Sequence, residues 1–237
     1  MTTYFRWLKG QGMGAMEVEK ASRVSLLVVI GSSIEAPSQA VEMSSMARSI
    51  TRDEPTPDIK ALRLFDSTLT SISSSMEVIV IPGRGDPTPC LLPQQPIHKA
   101  ALPLSSSSTS FRTLTNPADV TIEQIDFLLT DGENVNDVST SMLEGARIIL
   151  NAQHVCPTCP DTVDGFPFEG RDPLVIDRAF PHVMVVGNQT KGEAKEVELS
   201  SGEKSLVVGV PSFSQNPSLA LLHLDTMKVE YKYFICG

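Results

Sequence analysis

No apolar run in this 237-residue chain approaches the roughly 20 residues that cross a bilayer. The longest, Leu26–Ile30, is only strand length. Runs of Lys and Arg are absent too, and the formal net charge is −9. A protein that grips nucleic acid through its own surface presents a basic stripe, because phosphate neutralisation dominates such affinity. Any contact with DNA is therefore expected to be indirect, through a partner. Cysteine is sparse, at Cys90, Cys156, Cys159 and Cys236. That argues against a disulfide scaffold and suits a reducing, intracellular compartment. Residues 1–20 carry Arg6 and Lys9 but no apolar stretch after them, so they do not read as a secretory signal. Gly10-Gln-Gly12-Met-Gly14 has no strand before it, and neither a P-loop nor a Gly-x-Ser-x-Gly elbow occurs. Internal repeats are likewise missing.

What is present is an alternation of strand and helix patterns. The β-branched run at 23–30 ends at Gly31-Ser32-Ser33 and has the continuous apolarity of a buried strand. Leu62, Phe65, Leu69 and Ile72 recur at helical spacing, which predicts one amphipathic helix over 58–73. A second apolar strand follows at 77–81. Strand, helix, strand implies a parallel pair joined by a crossover, hence an α/β fold. Further strands are expected at 111–114, 119–122, 125–130, 182–187, 194–199, 205–210, 219–224 and 228–235, with a helix over 138–151. Residues 1–20 lack a period and read as a disordered start. Residues 36–57 read as a loop or disordered insertion, and 82–110 and 155–181 as Pro-rich connections.

Three strand ends are followed by Gly-containing loops. The strand at 77–81 runs into Pro-Gly-Arg84-Gly85-Asp86-Pro, 23–30 into Gly31-Ser32, and 182–187 into Gly187-Asn188-Gln-Thr190. A lone Asp86 in such a loop is by itself a turn former, with Gly83 and Gly85 supplying backbone freedom. A dinuclear metal site needs several carboxylate, His and Asn ligands converging from different strand ends.

These loops resemble those of metallophosphoesterases, in which Gly-Asn-His-Asp/Glu, Gly-Asp and Gly-His-Thr-His carry the metal ligands. The resemblance implies that Ser32, Arg84, Gly85, Asn188 and Thr190 occupy ligand or catalytic positions and lack the chelating atoms. Leu92-Pro-Gln-Gln-Pro-Ile-His98, Leu114-Thr-Asn-Pro117, Leu129-Thr-Asp-Gly-Glu-Asn-Val-Asn-Asp137 and His154-Val-Cys-Pro-Thr-Cys-Pro-Asp-Thr162 follow in order. With Phe166-Pro-Phe168, Asp172-Pro173, Pro181-His-Val183 and Val210-Pro-Ser-Phe213, they resemble the small (B) subunits of replicative DNA polymerases, most closely that of polymerase delta. The resemblance implies an inactive calcineurin-like phosphodiesterase sandwich over 21–237, with the family's N-terminal oligonucleotide-binding domain largely missing. It further implies a nuclear, non-catalytic scaffold with neither metal nor cofactor. The implied partners are the catalytic subunit of DNA polymerase delta, through its C-terminal domain, and a third accessory subunit. Leu91, Leu92, Ile97, Phe166 and Phe168 lie on the two Pro-rich loops and are the candidate interface anchors, because apolar side chains on stiff loops lose little entropy on binding.

Two other chemistries remain open from the residues alone. An active phosphoesterase could use a rearranged site around Asp86, Asp131, Asp137 or His182. A zinc-dependent interaction module could be built on His154, Cys156 and Cys159, although a structural zinc takes four ligands.

Overall fold

The structure of the protein is a computed structural model that describes residues 2–11, 14–34, 59–177 and 180–234. Its first sheet is parallel and has the order β1 (Leu26–Ile30), β2 (Glu77–Ile81), β3 (Phe111–Thr113). The expected crossover between β1 and β2 contains α3 (Ile59–Ser73). A second, five-stranded sheet comprises β4 (Ala118–Ile122), β5 (Ile125–Thr130), β6 (Val183–Gln189), β7 (Glu193–Glu198) and β8 (Lys204–Pro211), in the order β4-β5-β6-β8-β7. Strands β5, β6 and β8 are parallel, and the two edge strands run antiparallel to their neighbours. An antiparallel hairpin, β9 (Ser218–His223) and β10 (Lys228–Tyr233), completes the strands.

Period-two alternation assigns each strand's side chains to layers. Ile79 and Ile81 of β2 meet Phe127 and Leu129 of β5, Val183 of β6 and Val208 of β8 between the two sheets. Val78 and Val80 point the other way, onto Leu62, Phe65, Leu69 and Ile72 of α3. On the far side of the second sheet, Leu128, Met184, Val186 and Val207 pack against Ala146, Ile149 and Leu150. The result is an α/β sandwich with helices outside both sheets.

One expectation about helices is corrected and one is met with an addition. The start read over 1–20 as disordered instead contains α1 (Thr2–Leu8) and most of α2 (Ala15–Ser22). Trp7 is fully buried against α3, its Nε1–H donates to Glu17 at 2.6 Å, and Lys232 of β10 lies 5.0 Å above its ring. Helices this short are stabilised by tertiary packing and show almost no period of their own. The predicted helix at 138–151 is α5 (Met142–Ala152), and a separate helix that the sequence did not suggest, α4 (Glu133–Val138), precedes it. Extended backbone at Ser139 and Ser141 separates them. The predicted loop at 36–57 lies outside the described residues.

Candidate functional site

The parallel strands place the loops after β1, β2, β5 and β6 together at the strands' C-terminal ends, the usual location of α/β sites. Here these loops touch. A Cβ at Gly83 would lie 2.4 Å from the Ser32 amide nitrogen, and one at Gly31 (φ +68°) would lie 2.7 Å from the side chains of both Asn188 and Asp131. Gly132 (φ +96°) is equally enclosed, 2.3 Å from the Gly187 carbonyl oxygen. Glycine at these positions lets four loops meet backbone to backbone.

Asp86 is the strut between two of them. Its carboxylate accepts the Ile34 amide at 3.0 Å on one oxygen and the Gly83 amide at 2.9 Å on the other. The side chain is buried, and burial pushes its pKa up to about 6. The amides of Gly83, Ser33 and Ile34 pull the other way, and the charge of Asp131 adds to the rise. Asp131, also buried, is raised by burial against the stabilising contacts of Asn116 and the amides of Glu133 and Arg84. Exposed Arg84 forms a 2.7 Å ion pair with Glu133, so the β2 and β5 loops are bridged at the rim as well.

A polar chain beneath the loops was not assigned a role from sequence. The Gln94 Nε2–H donates to the Gly83 carbonyl at 2.9 Å, and the Asn116 Nδ2–H donates to Gln94 Oε1 at 3.2 Å. Asn116 Oδ1 accepts the Asp131 amide at 3.1 Å. The two residues also exchange backbone hydrogen bonds at 2.7 and 3.0 Å, and both are almost fully buried. Their flanking prolines gave a signal of ordered loops, but the pairing is a contact across 22 residues of sequence that no local pattern encodes.

Of the positions read as emptied ligand sites, Ser32, Arg84 and Thr190 are exposed, while Gly85 and Asn188 are half-buried. Asn188 donates its side-chain N–H to the Asp131 carbonyl at 3.1 Å and so ties loop to loop. Asp137 is not part of this cluster's hydrogen bonding and instead accepts the Thr162 hydroxyl. His182 stands at the other end of β6, where its Nδ1 accepts the Asp126 amide. The seven-residue strand, about 20 Å long at roughly 3.3 Å per residue, separates it from the loops. Among the described residues, no group of three or more His, Cys, Asp or Glu is placed to hold a metal ion. His154 instead accepts the Cys156 amide on Nδ1 and meets Asp172 through Nε2 at 3.0 Å. The Cys156 thiol is buried, which pushes its pKa up to about 11. Cys236 lies outside the described residues.

The five interface candidates divide. Leu92 packs with Cys156, Val163 and Leu174, and Ile97 packs with the α3 layer. Both are buried and unavailable at a surface, which corrects their assignment as anchors: the Pro-rich loop folds back and uses them as core. Leu91 is half-buried. Phe166 and Phe168 remain outside, 57% and 48% exposed, with their rings edge to face at 5.2 Å.

A family model for the B subunits of DNA polymerases alpha and epsilon matches residues 4–195. Among curated proteins, "DNA polymerase delta subunit 2" of Drosophila melanogaster is 34% identical over 88% of this chain and 49% of its own length. "Probable DNA polymerase delta small subunit" of Caenorhabditis elegans is 34% identical over 89% and 49%. "DNA polymerase delta small subunit" of Saccharomyces cerevisiae is 26% identical over 90% and 48%. The chain thus spans about half the length of the curated relatives it matches. A solved archaeal phosphodiesterase aligns at TM-score 0.41 and 12% identity, covering 74% of this chain and 90% of that one, a likeness too slight to bear on the fold.

Proposed function

The chain belongs to the family of DNA polymerase alpha/epsilon B subunits, and from that membership we propose that it is a non-catalytic accessory subunit of a DNA polymerase delta complex. In this reading it is a nuclear scaffold in replication and repair synthesis. It binds the C-terminal domain of the catalytic subunit together with a third accessory subunit, and meets DNA only through them. Its sandwich is a calcineurin-like phosphodiesterase fold whose catalytic centre has been lost.

One observation supports this reading of lost chemistry. The loop cluster that would hold metal ions is closed by its own backbone, with Asp86 turned inward onto the amides of Gly83 and Ile34. A dinuclear centre holds its cations roughly 3.5–4 Å apart and needs open coordination sites for substrate. Loops in contact at Gly83–Ser32 and Gly31–Asp131, and an Asp86 carboxylate whose oxygens already accept amide donors, support this reading. In this reading the chain contributes surface rather than catalysis.

The test is co-purification of the full chain with the C-terminal domain of a polymerase delta catalytic subunit. The expected result is a stoichiometric complex that survives size-exclusion chromatography. A folded chain that elutes apart from that domain would overturn the proposal.

A further inference from the structure

Phe166 and Phe168 are large apolar side chains held in water on a firm base. The Phe166 amide donates to the Leu92 carbonyl at 2.8 Å, and the Leu92 amide donates to the Asp164 carbonyl at 2.9 Å, so the loop is strapped to a buried residue. Gly165 lies flat against Cys159, since a Cβ there would fall 1.9 Å from the sulfur. Pro167 stiffens the link between the two rings. Fixed aromatic side chains of this kind lose little freedom on binding, which is why they dominate docking energetics.

The surroundings are acidic. Asp161, Asp164, Glu169, Asp172 and Asp177 all lie between 161 and 177, against Arg171 alone among the basic residues of that span. Arg171 is paired with Asp177, and Asp172 meets His154. Asp161, Asp164 and Glu169 are exposed and have no cationic partner among the described residues. Their field reaches inward: after burial itself, Asp172, Asp164 and Asp161 are what push the Cys159 thiol upward.

We propose that Phe166 and Phe168, rimmed by Asp161, Asp164 and Glu169, dock a segment of a partner polypeptide in which basic residues alternate with apolar ones. The charge selects this occupant. Phosphate backbones and anionic bilayers are repelled by the rim. A second copy of this face would oppose three acids with three acids. A basic segment instead neutralises the rim while its apolar residues cover the two rings. The proposal deepens the accessory-subunit reading, on which it rests for the existence of a partner.

Fluorescence anisotropy of the full chain tests it, with a fluorescein-labelled peptide of about twelve residues alternating Arg and Leu as the probe. Labelled oligothymidylate and the same peptide with Glu for Arg serve as controls. Saturable binding of the Arg–Leu peptide is expected, weakened about tenfold or more both by Phe166→Ser with Phe168→Ser and by Asp161→Asn with Asp164→Asn and Glu169→Gln. Both variants should keep the parent melting temperature, because the altered side chains are exposed. Lack of probe binding, or binding indifferent to both variants, overturns the proposal. So does oligothymidylate binding that disappears with the phenylalanines, or self-association that does so. Failure of the probe to bind, with co-purification intact, removes the docking site and leaves the accessory-subunit reading. Probe binding without co-purification instead removes the accessory-subunit reading and leaves the site standing.

Discussion

The carboxylate of Asp86 and the amide of Ile34, 52 residues apart in sequence, meet at 3.0 Å and join the loop after β2 to the loop after β1. The same carboxylate closes its own loop onto Gly83 at 2.9 Å. Replacing Asp86 with Ala leaves buried amide donors without an acceptor. The expected cost is about 2–4 kcal/mol of unfolding free energy, since a buried group left unsatisfied costs roughly 1–3 kcal/mol. Asp86→Asn should fare little better, because its NH2 would face an amide donor. Urea denaturation measures this, and an unchanged midpoint would show that the strut carries no stability.

The pH dependence of that strut has a definite sign. In the folded protein the Asp86 pKa is raised to about 6, above its usual 3.8, so the native state holds the proton more tightly than the unfolded chain. The stabilising contribution is therefore full below about pH 3.8 and is lost as pH rises through about 6. Asp131 is shifted in the same direction. The stability difference between the parent and Asp86→Ala should be larger at pH 5 than at pH 7.5, by on the order of 1–2 kcal/mol. Paired denaturation curves at the two pH values give the answer, and a difference that grows towards alkaline pH would contradict the assigned burial.

Gly83→Ala separates contact from flexibility. Its Cβ would meet backbone at 2.4 Å, so the β1 and β2 loops must move apart, at a cost of roughly 1–3 kcal/mol or more. Gly14→Ala, with nothing within 4 Å of the added atom, should stay within about 0.5 kcal/mol of the parent. Thermal melts of the two variants should differ clearly, and equal melting temperatures would mean that the loops are not in contact.

The Pro-rich loops should divide in the same way as their burial. Leu92→Ala and Ile97→Ala each remove a fully enclosed side chain and should cost about 2–5 kcal/mol. Phe166→Ser and Phe168→Ser should change stability by no more than about 0.5 kcal/mol. Destabilisation by the phenylalanine changes equal to that by the leucine change would place those rings in the core.

The strands and α3 were legible because their signals are local. Ile79 and Ile81 alternate with Val78 and Val80, and Leu62, Phe65, Leu69 and Ile72 mark a helical face, so periodicity alone located them. Helix α4 was not legible, since Asn134, Asn136 and Asp137 are poor helix formers in isolation. Trp7 gave no local sign that it would be buried, because its partners Glu17 and Lys232 come from α2 and β10. The sequence suggests substitutions at the strand-end loops, but the contacts that close those loops on one another leave no local trace in it. The Gly83–Gln94–Asn116–Asp131 chain exists only once distant loops are brought together. Leu92 and Ile97 were misread because apolar residues in a Pro-rich loop look alike in sequence whether they face inward or outward.

The most direct test of the closed loop cluster is a crystal structure of the full chain grown with manganese, with anomalous difference maps calculated over the ends of β1, β2, β5 and β6. The account predicts no peak there, with the Asp86 carboxylate still bonded to the amides of Gly83 and Ile34. Two peaks a few ångströms apart beside Asp86 and Asp131 would contradict it.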